Sequence, residues 1–373
     1  MRKRLVSAAL AAAMALSMTA CTSNPAEKET EAAAPADTEA AEEGEEKEAA
    51  ADGDLITVGY AQVGAESDWR TANTESFKST FTEENGYKLI FDDAQQKQEN
   101  QIKAIRSFIQ QGVDYIVVAP VVETGWETVL EEAKEAGIPV ILSDRQMQLS
   151  DDSLYEAWVG GNFVKEGETC GDWLADYLEK QGRADEEINM VTIQGTIGAT
   201  AQIGRTRGLY QAAKAYGWNI LAEESGDFTQ AKGKEVMQSF LEEYPELNMV
   251  YCENDNEAFG AIEAIKEAGR TIGTDIRNGE IMVVSFDGVD VDALSCVADG
   301  EISCIAECNP LHGPWIEKII QMMEQGRMPS KYTYVDEEMY SNEDIASSIT
   351  INGSSYLIRK VNPELLVEHE NMQ

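Results

Sequence analysis

Two histidines, His312 and His369, are all that this chain of 373 residues has. With so few, neither a His-ligated zinc centre nor a Cys–His nucleophilic pair has a candidate set, since one falls on an expected helix and the other in the tail. Bases are scarce as well: 29 Lys and Arg stand against 68 Asp and Glu, for a net charge of −39. So acidic a surface repels nucleic acid and anionic lipid and leaves neutral ligands open. The six cysteines include no C-x-x-C. Apart from Cys21 they are Cys170, Cys252, Cys296, Cys304 and Cys308, an odd number read mostly as buried thiols. In one strand, Cys304 and Cys308 would lie roughly 13 Å apart, too far for a disulfide; Cys296 with Cys304 stays open. No G-x-S-x-G, Walker loop, G-x-G-x-x-G or EF-hand pattern appears. The reading is of a chain that catalyses nothing, with no cofactor and no metal. A glycosidase-like carboxylate pair is the one enzymatic arrangement that spacing does not test.

What is present at the N-terminus speaks to compartment. Arg2, Lys3 and Arg4 precede an apolar, alanine-rich stretch over residues 5–16, and Met18-Thr19-Ala20-Cys21 follows. That is the layout of a secretory signal peptide, with an apolar run shorter than the ~20 residues of a membrane span. The Thr19-Ala20-Cys21 ending resembles a lipobox, although Met18 stands where Leu is commoner. Residues 1–21 are therefore expected to be a signal peptide that ends at a lipidated Cys21, whose acyl chains are the sole membrane attachment. An ordinary cleaved signal with a chance cysteine is the competing reading. Residues 22–54 are a different material, with twelve acids against Lys28 and Lys47 and no aromatic residue. They bury too little apolar surface to offset ordering entropy, and self-repulsion extends them. They read as a disordered acidic tether.

From residue 55 onward, about 320 residues remain, more than one hydrophobic core usually holds. Short apolar strands alternate with amphipathic helices. Strands are expected at 56–61, 87–93, 115–120 and 140–144, with helices near 69–84, 99–111 and 126–136. The pattern then restarts, with strands at 188–195, 219–228, 249–255, 281–288 and 303–310 and helices near 165–180, 201–216, 231–243, 257–269 and 311–326. Near-continuous apolar runs belong to parallel strands covered on both faces. Two such series imply an α/β protein of two doubly wound, Rossmann-like lobes, whose ligands sit beyond the carboxyl ends of the strands.

Those ends carry a consistent chemistry. Gln62, Glu66, Trp69 and Arg70 follow the first strand, and Asp144 and Arg145 the fourth. In the second series Thr200 and Arg205, Asp227 and Phe228, Asn254 and Asp255, Asp287, and finally Glu307 and Asn309 take the same places. Carboxylates, guanidinium groups and aromatic rings converging on one edge suit a neutral polyol. Each hydroxyl both donates and accepts, and one ring face is rich in C–H and packs on an aromatic. The polar neighbours of Trp69 favour an exposed ring, whereas Trp126, Trp158 and Trp173 read as packing. Of Arg205 and Arg207, one is expected at the surface.

Several stretches resemble one family: Gln62-Val63-Gly64 with Trp69-Arg70, residues 95–108, Ala119-Pro120-Val121-Val122 with Gly125-Trp126, and Leu142-Ser143-Asp144-Arg145. Gln194-Gly195-Thr196-Ile197-Gly198-Ala199, Ser225-Gly226-Asp227-Phe228-Thr229, Asn254-Asp255 and Phe286-Asp287-Gly288 continue the likeness. Over residues 56–335 the chain is similar to the ribose/galactose-type (type I) sugar-binding proteins of ABC transporters. The resemblance implies two lobes joined by a three-strand hinge, namely 55–160 with 309–334 and 161–308 with 335–373. It implies hinge closure on a monosaccharide (galactofuranose-like, or another furanose, pentose or hexose) and delivery by a monomer to an ABC permease. Its ligand set would be Glu66, Trp69, Arg70, Asp144, Arg145, Arg205, Phe228, Asn254 and Asp287, with Glu307 near the hinge as a ligand or hinge residue, and Asn309 and Gln62 as weaker members. A sugar sensor that presents its ligand to a membrane receptor kinase is the alternative. A transcription regulator of the same fold would carry a helix-turn-helix where the signal peptide stands. The segment from 336 to 373 finds no match in the resemblance.

Overall fold

The computed structural model describes residues 55–342, 348–351 and 354–370, so the expected signal peptide, Cys21 and the expected tether lie outside the described residues. The first series runs β1 (Ile56–Gln62), α1 (Asp68–Thr80), β2 (Tyr87–Asp93), α2 (Gln98–Gln111), β3 (Tyr115–Val118), α3 (Glu127–Glu135), β4 (Val140–Ser143) and β5 (Ala157–Gly160). The second runs α4 (Phe163–Lys180), β6 (Asn189–Gln194), α5 (Thr200–Tyr216), β7 (Asn219–Ser225), α6 (Gln230–Glu243), β8 (Met249–Cys252), α7 (Asp255–Glu267), β9 (Met282–Asp287), α8 (Val291–Ala298) and β10 (Cys304–Glu307). The chain then forms α9 (Gly313–Glu324), β11 (Tyr332–Tyr334), β12 (Met339–Ser341), β13 (Ser348–Ile351), β14 (Ser354–Lys360) and α10 (Pro363–Glu370).

The strands assemble into two sheets, ordered β11-β5-β4-β3-β1-β2 and β13-β14-β12-β10-β9-β8-β6-β7. The chain passes between them three times: after β5, after β10 and after β11. Both lobes are α/β with parallel central strands, as the alternation implies. The second sheet is mixed at one edge, where β12 runs antiparallel to β10 and β13 antiparallel to β14. The reason is topological. β10 runs toward the crossings and β12 starts from one, so the two must oppose. β11 comes back from α9 toward the crossings and so lies parallel to β5.

Each lobe has its own core. On one face of the first sheet Ile105 and Phe108 of α2 pack with Trp126, Leu130 and Trp158; on the other, Phe77 of α1 packs with Tyr60, Ile316 and Ile320. The second lobe buries Met237, Ile265 and Leu294 on one face and Trp173, Tyr251 and Phe286 on the other. Trp126, Trp158 and Trp173 are thus packing residues. Gln101 ties the strand ends together: its amide donates to the carbonyls of Ala61 and Ala119 (3.1 and 2.6 Å) and accepts from the Val121 N–H at 2.9 Å. This holds the ends of β1 and β3 in place where side chains project toward the second lobe. Among the described residues no helix is long and apolar enough to cross a membrane.

Candidate functional site

The carboxyl ends of the two sheets face each other, and the loops beyond them interlock. Across the cleft the Asp68 N–H donates to Asn256 Oδ1 at 3.1 Å, and Asn256 Nδ2 returns a bond to Asp68 Oδ2 at 2.8 Å. Gln146 and Thr200, and Glu123 and Gly198, are bonded in the same way. The cleft is closed. Between the lobes lies a small enclosed cavity lined by residues of both. Nine of the ten ligand residues expected from sequence line it: Glu66, Trp69, Arg70, Asp144, Arg145, Arg205, Phe228, Asn254 and Asp287.

The first lobe supplies a four-membered charge network. Ser67 caps α1 by accepting from the Arg70 N–H, which fixes Arg70 in the first turn. Arg70 Nε then donates to Glu66 Oε1 (3.0 Å) and its Nη2 to Asp144 Oδ2 (2.6 Å). Arg145 donates to the same Glu66 oxygen (3.3 Å) and to the Val121 carbonyl (3.2 Å). Burial alone pushes the Asp144 carboxyl up, yet Arg70, Arg145 and His312 hold it below its ordinary value. Arg145 moves down, through burial and repulsion by Arg70. Glu66 Oε2, Arg70 Nη1 and Arg145 Nε are buried with no hydrogen-bond partner among the described residues.

The second lobe supplies its own network. Arg205 on α5 donates to Glu166 Oε2 (2.7 Å), to Asp287 Oδ1 (3.0 Å) and to the Glu253 carbonyl. Burial raises Glu166 and Asp287 above the usual carboxylate range despite Arg205. Arg207, by contrast, is exposed. Asn254 caps α7 by accepting from Glu257 N–H (2.8 Å) and gives its Nδ2 to the Phe228 carbonyl (3.1 Å). Its amide therefore braces the site as well as lining it. Asp144, Phe228 and Asp287 hold φ angles of 64°, 60° and 99°, a region that costs non-glycine residues on the order of 1–3 kcal/mol each. Local sequence does not favour these conformations; the surrounding hydrogen bonds impose them.

Two rings complete the cavity. Phe228 lies beside the Arg145 guanidinium, 5.3 Å from its ring centroid. Trp69 corrects the sequence expectation of an exposed ring: it is 5 % exposed, its Nε1 donates to the Cys308 carbonyl at 2.6 Å, and its face meets the Arg70 guanidinium at 4.6 Å. Polar neighbours do signal a polar environment, but that environment is an enclosed cavity rather than bulk solvent.

Glu307 is a second correction, because it does not reach this cavity. Its carboxylate accepts from the Glu338 N–H (2.7 Å) and the Tyr340 hydroxyl (3.1 Å) in a separate pocket at the crossings. The weaker candidates also serve the scaffold: Gln62 donates to Asn73 and Thr74, and Asn309 accepts from the Leu311 N–H. Sequence reasoning misses Ser67, Phe163, Ala201 and Cys308, which line the cavity, and Glu166, which orients Arg205. Glu166 carries the one usable signal, an acid in the first turn of a helix that starts at a crossing.

His312 is missed as well. It is fully buried, edge-on to Trp69 with ring centroids 5.6 Å apart, and its Nδ1 lies 3.0 Å from Ser143 Oγ. Burial lowers its pKa to about 4 against an ordinary 6.5. A depressed folded-state pKa means that the unfolded chain takes up the proton first. The stability due to neutral His312 is complete above about pH 6.5 and is lost as pH falls toward 4, up to about 3 kcal/mol. Thermal melts across this window are expected to show that acid loss, and His312→Gln to flatten it. An unchanged acid limb in His312→Gln would mean that other groups are responsible.

The sequence profile of the periplasmic binding protein domain matches residues 58–312. The galactofuranose-binding protein YtfQ of Escherichia coli (strain K12) is 46% identical over 290 residues, which are 76% of this chain and 87% of that protein. A Mycobacterium smegmatis protein solved in complex with β-D-fucofuranose superposes with a TM-score of 0.72 at 43% identity, over 77% of this chain and 91% of that one. The binding component of an arabinose ABC transporter from Shewanella sp. ANA-3, bound to α- and β-L-arabinofuranose, superposes with a TM-score of 0.70 at 44% identity, over 76% and 91%.

Proposed function

Because the chain belongs to the periplasmic binding protein family, we propose that it is an extracytoplasmic receptor that captures one furanose monosaccharide and delivers it to the permease of an ABC importer. The lobes 55–160 with 309–334 and 161–308 with 335–373 close on the sugar as rigid bodies about the three crossings, and the protein works as a monomer held to the membrane by lipid on Cys21. The observation that carries this reading is the set of buried atoms of cavity-lining residues that have no hydrogen-bond partner among the described residues: Glu66 Oε2, Arg70 Nη1 and Arg145 Nε. One is an acceptor and two are donors. A sugar hydroxyl is both, so a single polyol satisfies them all, while Trp69 and Phe228 offer surfaces for its C–H faces. Ligand contacts to Arg145 on one lobe and Asp287 on the other favour the closed state over the open one. Relatives that share over 40% identity are described with furanose ligands, which supports a five-membered ring here.

The test is calorimetric titration with arabinose, galactose, fucose, ribose, xylose, glucose and fructose, alongside methyl galactopyranoside, which is locked in the six-membered ring. One-to-one binding at micromolar affinity or better, about 8 kcal/mol or more, is expected for a sugar that can populate a furanose. The locked pyranoside is expected to give no heat. Equal binding of the pyranoside would overturn the furanose assignment, and silence across the panel would overturn the monosaccharide reading.

A further inference from the structure

A second cluster sits where the three crossings meet. Glu166 lies just past the first crossing, Cys308 on the second and Glu337 on the third. Each carboxylate has one oxygen engaged: Glu166 Oε2 accepts from Arg205 at 2.7 Å, and Glu337 Oε2 accepts from the Asn162 N–H at 3.4 Å. The other oxygen of each is buried without a hydrogen-bond partner among the described residues. Glu166 itself is only 3 % exposed. Both free oxygens flank Gly161, where an added Cβ would stand 2.3 Å from Glu337 Oε1 and 2.7 Å from Glu166 Oε1. Glycine thus leaves open the space at which the two oxygens converge. Each of the three residues presents a ligand atom within 4.8 Å of the others. Glu166 and Glu337 also line the pocket at the crossings, whereas Cys308 lines the sugar cavity, so the cluster stands between the two.

We propose that Glu166, Cys308 and Glu337 form a divalent-cation site that clips the three hinge crossings together, and that its chemistry selects a zinc-like ion. Magnesium and calcium prefer six or more oxygen ligands, whereas two carboxylates and a thiolate suit tetrahedral zinc with water as the fourth ligand. Zinc distances would draw the ligand atoms to roughly 3.3–3.6 Å from one another, a modest contraction. The Cys308 thiol, and each carboxyl of Glu166 and Glu337 that carries a proton, loses it to solvent on binding, and the ion takes the thiolate and the carboxylates. The sequence suggests no metal because it offers no Cys–His set. These three ligands come from residues far apart in the chain, and only the fold assembles them. Because Glu166 also orients Arg205, the ion and the sugar are coupled through one side chain, and each changes the affinity of the other by the same factor.

The experiment uses the full chain loaded with zinc chloride, dialysed, and assayed for bound metal by mass spectrometry, with cobalt(II) as a spectroscopic substitute. One equivalent of zinc is expected to be retained by the wild type and lost in Glu337→Gln. The cobalt form is expected to show a near-ultraviolet thiolate charge-transfer band that Cys308→Ser removes. Sugar titration of metal-free Glu337→Gln, a residue outside the sugar cavity, is expected to match the metal-free wild type. Zinc retention unchanged in Glu337→Gln, or a cobalt wild type with no thiolate band, would overturn the site. The second outcome needs no variant to fold.

Discussion

Arg145→Ala is expected to weaken sugar binding roughly ten- to a hundredfold at a modest cost to the fold, whereas Arg205→Ala is expected to lose both binding and much of the stability. The difference follows from what each arginine leaves behind. Without Arg145, Glu66 Oε1 still accepts from Arg70 at 3.0 Å and Asp144 Oδ2 at 2.6 Å. Among the described residues, what is lost is the bond to the Val121 carbonyl and the 3.7 Å ion pair of Arg145 Nε with Asp144, which Arg70 still neutralises. Leaving the Val121 carbonyl without this donor costs about 1–3 kcal/mol, less than the loss of a whole buried ion network. Binding is another matter. A charged hydrogen bond to a ligand contributes about 1.5–3 kcal/mol, or roughly ten- to a hundredfold each. Arg145 Nε has no hydrogen-bond partner among the described residues and the guanidinium borders the Phe228 ring, so a roughly ten- to hundredfold loss is expected in titration. Arg205 stands differently. Its removal strands Glu166 and Asp287, both buried, with no other cation ion-paired to either among the described residues. Breaking a buried ion network on one side costs about 3–5 kcal/mol, which denaturant unfolding would resolve easily. Unaltered affinity in Arg145→Ala would refute the site assignment; equal stability losses in the two variants would refute this account of the networks.

The same contrast shows what the sequence carries and what it does not. The βα alternation is written in local periodicity, and residues just after a strand are fixed in space by that alternation alone. Nine ligand candidates are therefore legible in the chain as strand-end residues. Glu307 follows the same rule and fails, because at the end of β10 the chain leaves its lobe and the carboxylate is captured by Glu338 and Tyr340 of the returning strand. That capture depends on β12, whose three residues are too few to show a period. Glu166 and Cys308 are illegible for a related reason. Their chemistry arises only where the crossings converge, and no linear spacing encodes which segments meet there. The burial of Trp69 escapes sequence reading because a polar neighbourhood looks alike in sequence whether it faces solvent or an enclosed cavity.

Gly195→Ala is expected to weaken sugar binding by on the order of a hundredfold, about 2.7 kcal/mol, through a ring that it does not belong to. An alanine methyl at this position would stand 1.9 Å from Phe228 Cζ, with two further ring carbons at 2.1 and 2.4 Å. The glycine backbone does not give way, since its N–H donates to Glu253 Oε2 at 2.9 Å and its carbonyl accepts from the Ser225 hydroxyl at 2.8 Å. Nor does the backbone of Phe228, held through its N–H by Glu257 (2.9 Å) and through its carbonyl by Asn254 (3.1 Å). What remains is rotation of the ring, which is buried at the cavity wall beside Arg145, so its displacement removes one face of the sugar site or fills the space the sugar needs. Gly195 does not have a positive φ, so alanine brings no backbone strain of its own. A double-mutant cycle separates the causes. If the ring transmits the effect, Gly195→Ala costs almost nothing once Phe228 is alanine, and the double variant binds no worse than Phe228→Ala alone. If the two losses add, the glycine acts through its backbone and the ring is a bystander. The cycle also reports on stability: in the Phe228→Ala background the added methyl enters vacated space and narrows the unfolded ensemble, so it should be neutral or slightly stabilising, by up to about 1 kcal/mol.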